Sequence, residues 1–485
     1  MTKYKALIGI EMHCEITSTN SKVFSTAKNS YEVNPNVNIM PIDMGFPGTL
    51  PVVNREAVRK ALMMSIILGC KQPEYLYFER KNYYYPDLPK GYQITQETKP
   101  APVGIYGEME YICNGEKKIA KINNLHLEED SASMEHFADV SLIDYNRSGV
   151  PLLELVTEPC FHSSDEVVAF LETIRSIYRY TGISEADSKK GQIRCDVNIS
   201  IMDEDKDESD YKNYGTKVET KNVNSFSAVR EVIDYEIQRQ IKLKEDGKYD
   251  EMPQQTRRWD EAAGETKFMR SKADAIDYKY FIEPNIPKFR ITEEFLLDIK
   301  KEIPMLADER KEKYITEYNL KEYDANIIVK DKDVSDYFEE LIKNGIDAKE
   351  AANWINTVIL GTLNKLYIKM EDFNISPKKL AEVIKMISNG KISRNQGKDA
   401  ISASIEENKD PLVIIEERGF SQIDNDGEIE ALIEKVIIDH PKEVEEIKNG
   451  RDNKINFLLG LIMKETKGKA NPAKTMKMLR EKMDL

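Results

Sequence analysis

Proline is spread unevenly along this chain, and that unevenness limits the fold more than any other feature of the sequence. Fourteen of the 19 prolines lie before residue 291 and five after it, although the later part is about two-fifths of the 485 residues. Proline removes a backbone donor and breaks helix interiors and central strands. The early part therefore cannot be built from long uninterrupted helices, whereas the later part can. Alternating runs at Ala6–Ile16 and Ile193–Ile201 read as half-buried strands, with helical stretches such as Val229–Ile241 between them. Beyond Pro287, Lys/Glu-rich segments such as Val334–Ile342 and Leu380–Ile387 place apolar residues at three- and four-residue steps, the pattern of amphipathic helices. Near the end, Asn456–Lys464 reads as a helix, Gly468 as its stop and Asn471-Pro472 as the start of another. The expectation is an α+β chain: a large mixed-sheet domain over 1–291, an all-helical domain over 292–407 and a small helical tail domain over 408–485.

The net charge of -15 taken alone argues against a nucleic-acid partner, but its distribution matters more than its sum. Residues 461–485 hold seven Lys and Arg against three Asp and Glu, a basic island in an acidic chain. Asp203–Asp210 is too charged to pack and is expected at an exposed hairpin tip. No apolar run approaches the roughly 18 residues that cross a bilayer, so no membrane is expected and the protein is read as cytoplasmic. The five cysteines stand far apart without a Cys-x-x-Cys pair, which argues against a disulfide framework and a cysteine-built zinc site. They are expected to be mostly buried thiols.

Several segments carry groups suited to chemistry. Residues 80–93, Arg-Lys-Asn-Tyr-Tyr-Tyr-Pro-Asp-Leu-Pro-Lys-Gly-Tyr-Gln, combine four tyrosines with three cations, and read either as a tyrosine-rich surface loop or as an anion holder. In the first strand, Gly9, Glu11, His13 and Glu15 share one face. Carboxylates on a rigid face suit a hard divalent cation such as Mg2+. His126-Leu-Glu-Glu-Asp130 offers further ligands, but Glu128 and Glu129 point to opposite faces of an extended chain, so at most one reaches the same ion. Leu152–Glu158 adds Glu154 and Glu158, and Ile193–Ile201 adds a polar face of Arg194, Asp196, Asn198 and Ser200. Lys217, Glu219 and Lys221 share a face just before a helix start near Ser227, a place that favours phosphate. Arg257, Arg258, Arg270 and Lys272 could hold a triphosphate. No Walker motif, kinase glycine loop or dinucleotide fingerprint is present, so any bound ATP uses another cradle.

Seven ordered motifs then resemble one family. They are Gly9-Ile-Glu-Met-His13, Phe46-Pro-Gly-Thr-Leu-Pro-Val52, Arg80 to Asp87, Lys90-Gly-Tyr-Gln-Ile-Thr-Gln96, His126 to Asp130, Asn146 to Pro151 and Arg257-Arg-Trp-Asp-Glu261. Together they resemble the B subunit of the tRNA-dependent aspartyl/glutamyl amidotransferase, from about residue 5 to the end. The resemblance implies a glutamine-hydrolysing ligase that works on mischarged Glu-tRNA(Gln) and/or Asp-tRNA(Asn). ATP phosphorylates the side-chain carboxylate and ammonia displaces the phosphate. It implies Mg2+ at Glu11, His13, Glu129 and Glu154, although His13 suits Mg2+ poorly and would serve as an outer-shell or transition-metal ligand. Arg194, Asp196, Asn198, Lys217, Arg257, Arg258 and Arg270 are the expected ATP contacts. Lys81 and Lys90 would handle ammonia or substrate, and the tyrosines of their loop would pack around the acceptor end of the tRNA. Lys464, Lys467, Lys469, Asn471 and Lys474 would touch tRNA. The chain shows no glutaminase signature, so the resemblance implies a heterotrimer with a glutaminase A subunit and a small C subunit, joined by an internal ammonia channel. Many relatives hold zinc with cysteines where this chain has Phe24–Gly45 without any, so zinc is not expected and Phe24, Ile39, Met40 and Ile42 should hold that loop by packing. Two rivals are a non-catalytic tRNA-binding scaffold and a stand-alone ligase for a small metabolite.

Overall fold

The first strand, β1 (Tyr4–Glu15), lies inside an eight-stranded sheet because its even-numbered residues from Ala6 to Cys14 are apolar and its odd ones from Gly9 are small or polar. The computed structural model describes residues 3–32, 34–223, 225–271, 277–420, 426–448, 454–466, 470 and 472–483. The sheet runs β13 (Glu265–Ser271), β12 (Gln255–Asp260), β11 (Val218–Val223), β10 (Ile193–Asp203), β1, β9 (Pro151–Thr157), β6 (Glu116–Glu129), β5 (Gly104–Cys113). Its neighbours are antiparallel except β11 and β12. A parallel pair needs a long crossover, and α3 (Phe226–Glu245) provides it. Ser225 caps α3 by accepting the Ala228 amide, as Asn54 caps α1 (Arg55–Ile67) and Ser163 caps α2 (Ser164–Tyr180). These three helices share one hydrophobic core with Ile8, Ile10, Met12 and Cys14 of β1.

Three smaller sheets complete the first unit. They pair β14 (Phe281–Ile282), β3 (Glu79–Asn82) and β4 (Tyr92–Thr95), then β2 (Tyr75–Leu76) with β15 (Phe289–Arg290), then β7 (Ser133–His136) with β8 (Ser141–Asp144). The compact unit runs from Met1 to Leu306 and so includes α4 (Glu293–Glu302), which packs on α1. The second unit, Ala307–Leu485, is helical throughout its described elements. Helices from α5 (Ala307–Thr316) to α12 (Pro411–Glu417) share a core around Phe338, Trp354 and Ile384. Helices α13 (Asp426–Asp439), α14 (Pro441–Lys448), α15 (Ile455–Glu465) and α16 (Pro472–Lys482) build a separate one around Ile433, Leu458 and Leu479. The mixed-sheet and helical character thus follows the proline partition. Among the described residues no helix is long and apolar enough to cross a membrane.

Asp203–Asp210 turns at the exposed end of β10, and four of the five cysteines are buried, with Cys160 half-buried. The loop at 24–45 is held differently from expectation. Phe24 is buried edge-on against Phe78, but Met40 is exposed. The anchor is Asp43, whose carboxylate accepts from Ser25 Oγ at 3.0 Å and Met40 N at 2.9 Å, with buried Lys22 Nζ at 3.7 Å. A buried carboxylate with several donors restrains a loop more directionally than exposed methionine can.

Candidate active site

The sheet face away from the helices gathers ionisable side chains that sequence distance keeps apart. Register sets His13 opposite both Arg194 of β10 and Glu154 of β9, Glu11 opposite Asp196, and Glu154 opposite His126 of β6. Residues directly across antiparallel strands share a face. Glu154 Oε2 lies 3.0 Å from His126 Nε2 and 3.2 Å from His13 Nε2, and Glu128 Oε2 lies 3.7 Å from His126 Nε2. Two overlapping groups, Glu11 with His13 and Glu154, and His126 with Glu128 and Glu154, each bring their ligand atoms within 4.8 Å. His126 Nδ1 meets Asn124 Oδ1 at 3.0 Å, which fixes the ring and turns Nε2 toward the cluster.

Electrostatics ties the members of this cluster together. Burial alone would raise the Glu154 carboxyl, but the His126 and His13 imidazoles outweigh it and hold it well below the usual carboxylate range. Burial opposes charge on His13 as well, yet Glu154 raises it to about 9, and His126 is raised for the same reason. Glu11 is pushed up to about 7 by burial and by the charge of Glu154. The carboxylates and imidazoles of this cluster are thus linked electrostatically, each setting the proton affinity of its neighbours. A divalent ion bound by such groups would displace protons from them. Three carboxylate oxygens suit Mg2+, and two imidazoles extend tolerance to first-row transition metals.

The structure divides the ligand set that the resemblance implies. Glu11, His13 and Glu154 stand together, but Glu129 does not join them: Lys90 Nζ bonds both its oxygens, at 2.6 and 2.5 Å, and Ile94 N donates at 2.9 Å. Glu128 occupies the face instead, receiving Thr95 Oγ1 at 3.0 Å. The sequence offers the run from His126 to Asp130 as a source of further ligands with Glu128 and Glu129 as alternatives, and strand alternation puts His126 and Glu128 together on this face.

The loop at 80–93 is pinned over this end of the sheet, since β4 bonds to Glu128 and Glu129 as above and Gln93 Nε2 donates to Glu129 O. Arg80 is occupied by Glu283, at 2.5 and 3.0 Å, and lies over the Tyr92 ring. Lys81 makes no ion pair among the described residues; its ammonium sits 5.2 Å from the Tyr278 ring centre. Burial should lower its pKa, yet nearby Glu128 and Glu154 raise it, so Lys81 is a charged neighbour of the cluster. Tyr83 packs on Tyr278, whereas Tyr84 is 98 % exposed.

The expected nucleotide contacts divide. Asp196 and Asn198 are on the polar face, and Asn198 Oδ1 is buried without a partner among the described residues. Lys221 joins them, with Asp196 Oδ2 at 2.6 Å and Glu219 Oε1 at 3.2 Å. Arg258 pairs in register with Lys221, and Arg270 with Thr256, so both extend this face toward the sheet edge. Arg194 is instead committed to Asp130, with two bonds of 2.7 Å. Arg257 points the other way, to Thr266 Oγ1 at 2.7 Å and buried Glu236 at 4.0 Å under the sheet. Lys217 precedes β11 and has partners of its own. In the tail, Lys464 and Lys474 are exposed on α15 and α16, while Lys467, Lys469 and Asn471 lie outside the described residues, as does Lys272.

A family model described as the GatB/GatE catalytic domain matches residues 6–297, and one described as the GatB domain matches 336–483. A Persephonella marina protein, named as the B subunit of an aspartyl/glutamyl-tRNA(Asn/Gln) amidotransferase, is 41 % identical over 480 residues, 99 % of each chain. Proteins of the same name from Carboxydothermus hydrogenoformans and Oceanobacillus iheyensis are 39 % identical over 488 residues and 41 % over 482, covering 100 % and 99 % of this chain and 99 % of each relative.

Proposed function

Because this chain belongs to the family of aspartyl/glutamyl-tRNA(Asn/Gln) amidotransferase B subunits, we propose that its polar face activates the side-chain carboxylate of mischarged Glu-tRNA(Gln) and/or Asp-tRNA(Asn) for amidation. The carrying observation is the convergence of Glu11, His13, His126, Glu128 and Glu154 on one sheet face. A carboxylate resists ammonia until one oxygen becomes a leaving group. Transfer of the ATP γ-phosphoryl group to that oxygen releases ADP and makes an acyl phosphate. Ammonia nitrogen then bonds to the acyl carbon, the C–O bond to phosphate breaks, and loss of a proton from nitrogen leaves the amide.

The five-residue cluster would hold Mg2+, which when bound neutralises charge on phosphate and carboxylate oxygens. Lys81 adds a fixed positive charge where anionic reactants meet Glu128 and Glu154. Asn198, Lys221, Arg258 and Arg270 line the way from this cluster to the sheet edge and are the proposed ATP contacts. Lys90 and Glu129 stand beside the cluster without belonging to it, and we assign them to the arrival of ammonia. Burial pushes the Cys14 and Cys70 thiols up to about 12, so neither suits attack on glutamine. We therefore assign glutamine hydrolysis to an A subunit, with a small C subunit completing a heterotrimer, and tRNA contact to Lys464, Lys474 and the residues around them. Aminoacyl-tRNA and ATP are cytoplasmic substrates, so the cytoplasm is the proposed location.

The test is reconstitution with A and C subunits, glutamine, ATP, Mg2+ and each mischarged tRNA. Formation of Gln-tRNA(Gln) or Asn-tRNA(Asn) is expected. If neither forms, the reading is wrong.

A further inference from the structure

A cavity of about 340 Å³ at the end of β1 is unused by the chemistry above. Its lining includes Glu15, Tyr31, Arg147 and Gln192. Glu15 leaves β1 on the same face as His13, two residues on, so about 6.8 Å separates their backbones. Among the described residues its carboxylate has no hydrogen bond and no ion pair. Gln192 is 6 % exposed; its Oε1 accepts the Asp187 amide at 3.0 Å, and its Nε2 has no partner among the described residues. Both groups border the cavity rather than the closed core, so their polar atoms are accessible from it. A free acceptor and a free donor facing one cavity therefore fit a ligand that supplies hydroxyls and ring nitrogens. The cavity also adjoins the ionisable cluster. Arg147 lines it, lies 3.6 Å from Asp130, and Asp130 is bound to Arg194, which faces His13 in register.

We propose that this cavity receives the terminal adenosine of the aminoacyl-tRNA, with Glu15 accepting from the ribose hydroxyl that the ester leaves free and Gln192 donating to the same nucleoside. The proposal rests on the reading that the substrate carboxylate reacts at the His13 and Glu154 cluster. The lengths agree. An extended glutamyl group spans about 6 Å from carboxyl carbon to ester oxygen, and an aspartyl group about 1.5 Å less. A ribose held at Glu15 thus carries the carboxylate to the cluster. Tyr31, 72 % exposed, offers a face for base stacking.

The experiment uses the assembled complex with ATP, Mg2+ and ammonium chloride as nitrogen source. Glu-tRNA ending in adenosine is compared with Glu-tRNA ending in 2′-deoxyadenosine, for the wild type, Glu15→Ala and Gln192→Leu. Loss of one hydrogen bond predicts a loss of about tenfold in kcat/KM for the wild type on the deoxy substrate, mostly in KM. Glu15→Ala should lose as much on the normal substrate and then ignore the deoxy change, with its ATP KM unaltered. Gln192→Leu should raise the tRNA KM and keep its sensitivity to the deoxy change. Equal wild-type rates on both substrates overturn the proposal without any variant, and so does a Glu15→Ala complex that still discriminates. If the wild type fails to amidate the unmodified substrate, the reading of the cluster falls first and takes this proposal with it.

Discussion

The two compact units treat charge in opposite ways. The first buries His126, Glu128, Glu129, Asp130, Glu154, Glu219, Glu236 and Glu283 below one-tenth exposure, whereas among the described residues of the second only Arg310 is a buried ionisable group other than tyrosine. Burying a charge is costly unless it is paired. The second unit follows the ordinary rule of apolar core and charged rim, so its sequence describes stability. The first departs from that rule on one sheet face, and the departure marks function.

The largest expected effect tests that contrast directly. Glu154→Ala leaves two histidines without their shared carboxylate and should abolish ammonia-dependent amidation, by a factor of about 10³ or more, while weakening Mg2+ dependence and costing about 3 kcal/mol of stability in urea unfolding. A variant within tenfold of wild type would remove the cluster from the mechanism. Next comes Phe338→Ala in the second unit, expected to lose about 3–5 kcal/mol, with ammonia-dependent turnover at saturating tRNA nearly unchanged while that unit stays folded. Equal loss of turnover in both variants would erase the distinction between units.

A finer test compares neighbours. Glu128→Gln should raise the Mg2+ concentration needed for half-maximal activity by about tenfold or more, whereas Glu129→Gln should leave it unchanged and alter the use of ammonia instead. Reversed results would return the ligand role to Glu129. The smallest effect concerns pH. Glu283 is held below its ordinary value: burial raises it, but Arg80 and the Asn285 amide outweigh burial. A depressed folded pKa contributes stability above the unfolded value, about 4.5, and loses it as pH falls through the folded one. Hydrogen exchange in residues 79–95 should accordingly rise below about pH 4.5, and Glu283→Gln should flatten that rise.

Much of this was legible in the chain. Alternation placed Glu11 and His13 on one strand face and Glu154 on a second strand, and helical periodicity anticipated α3 and the helices of the second unit. The sequence is least decisive where identical chemistry sits at adjacent positions. Glu128 and Glu129, like Arg258 and Arg257, differ only in which side of a strand they occupy. Alternation says that such neighbours part company, but not which one faces the site. The pairing of Arg194 was hidden for another reason: its partner Asp130 is 64 residues away in sequence.

The sequence by itself determined the mixed sheet, the helical second half and the types of group available, because proline placement and periodicity act within a few residues. Only the tertiary structure decided which groups meet. Strand register joins Glu11 and His13 to His126, Glu128 and Glu154 across more than a hundred residues, and a shift of one position would turn a whole strand's side chains to the opposite face.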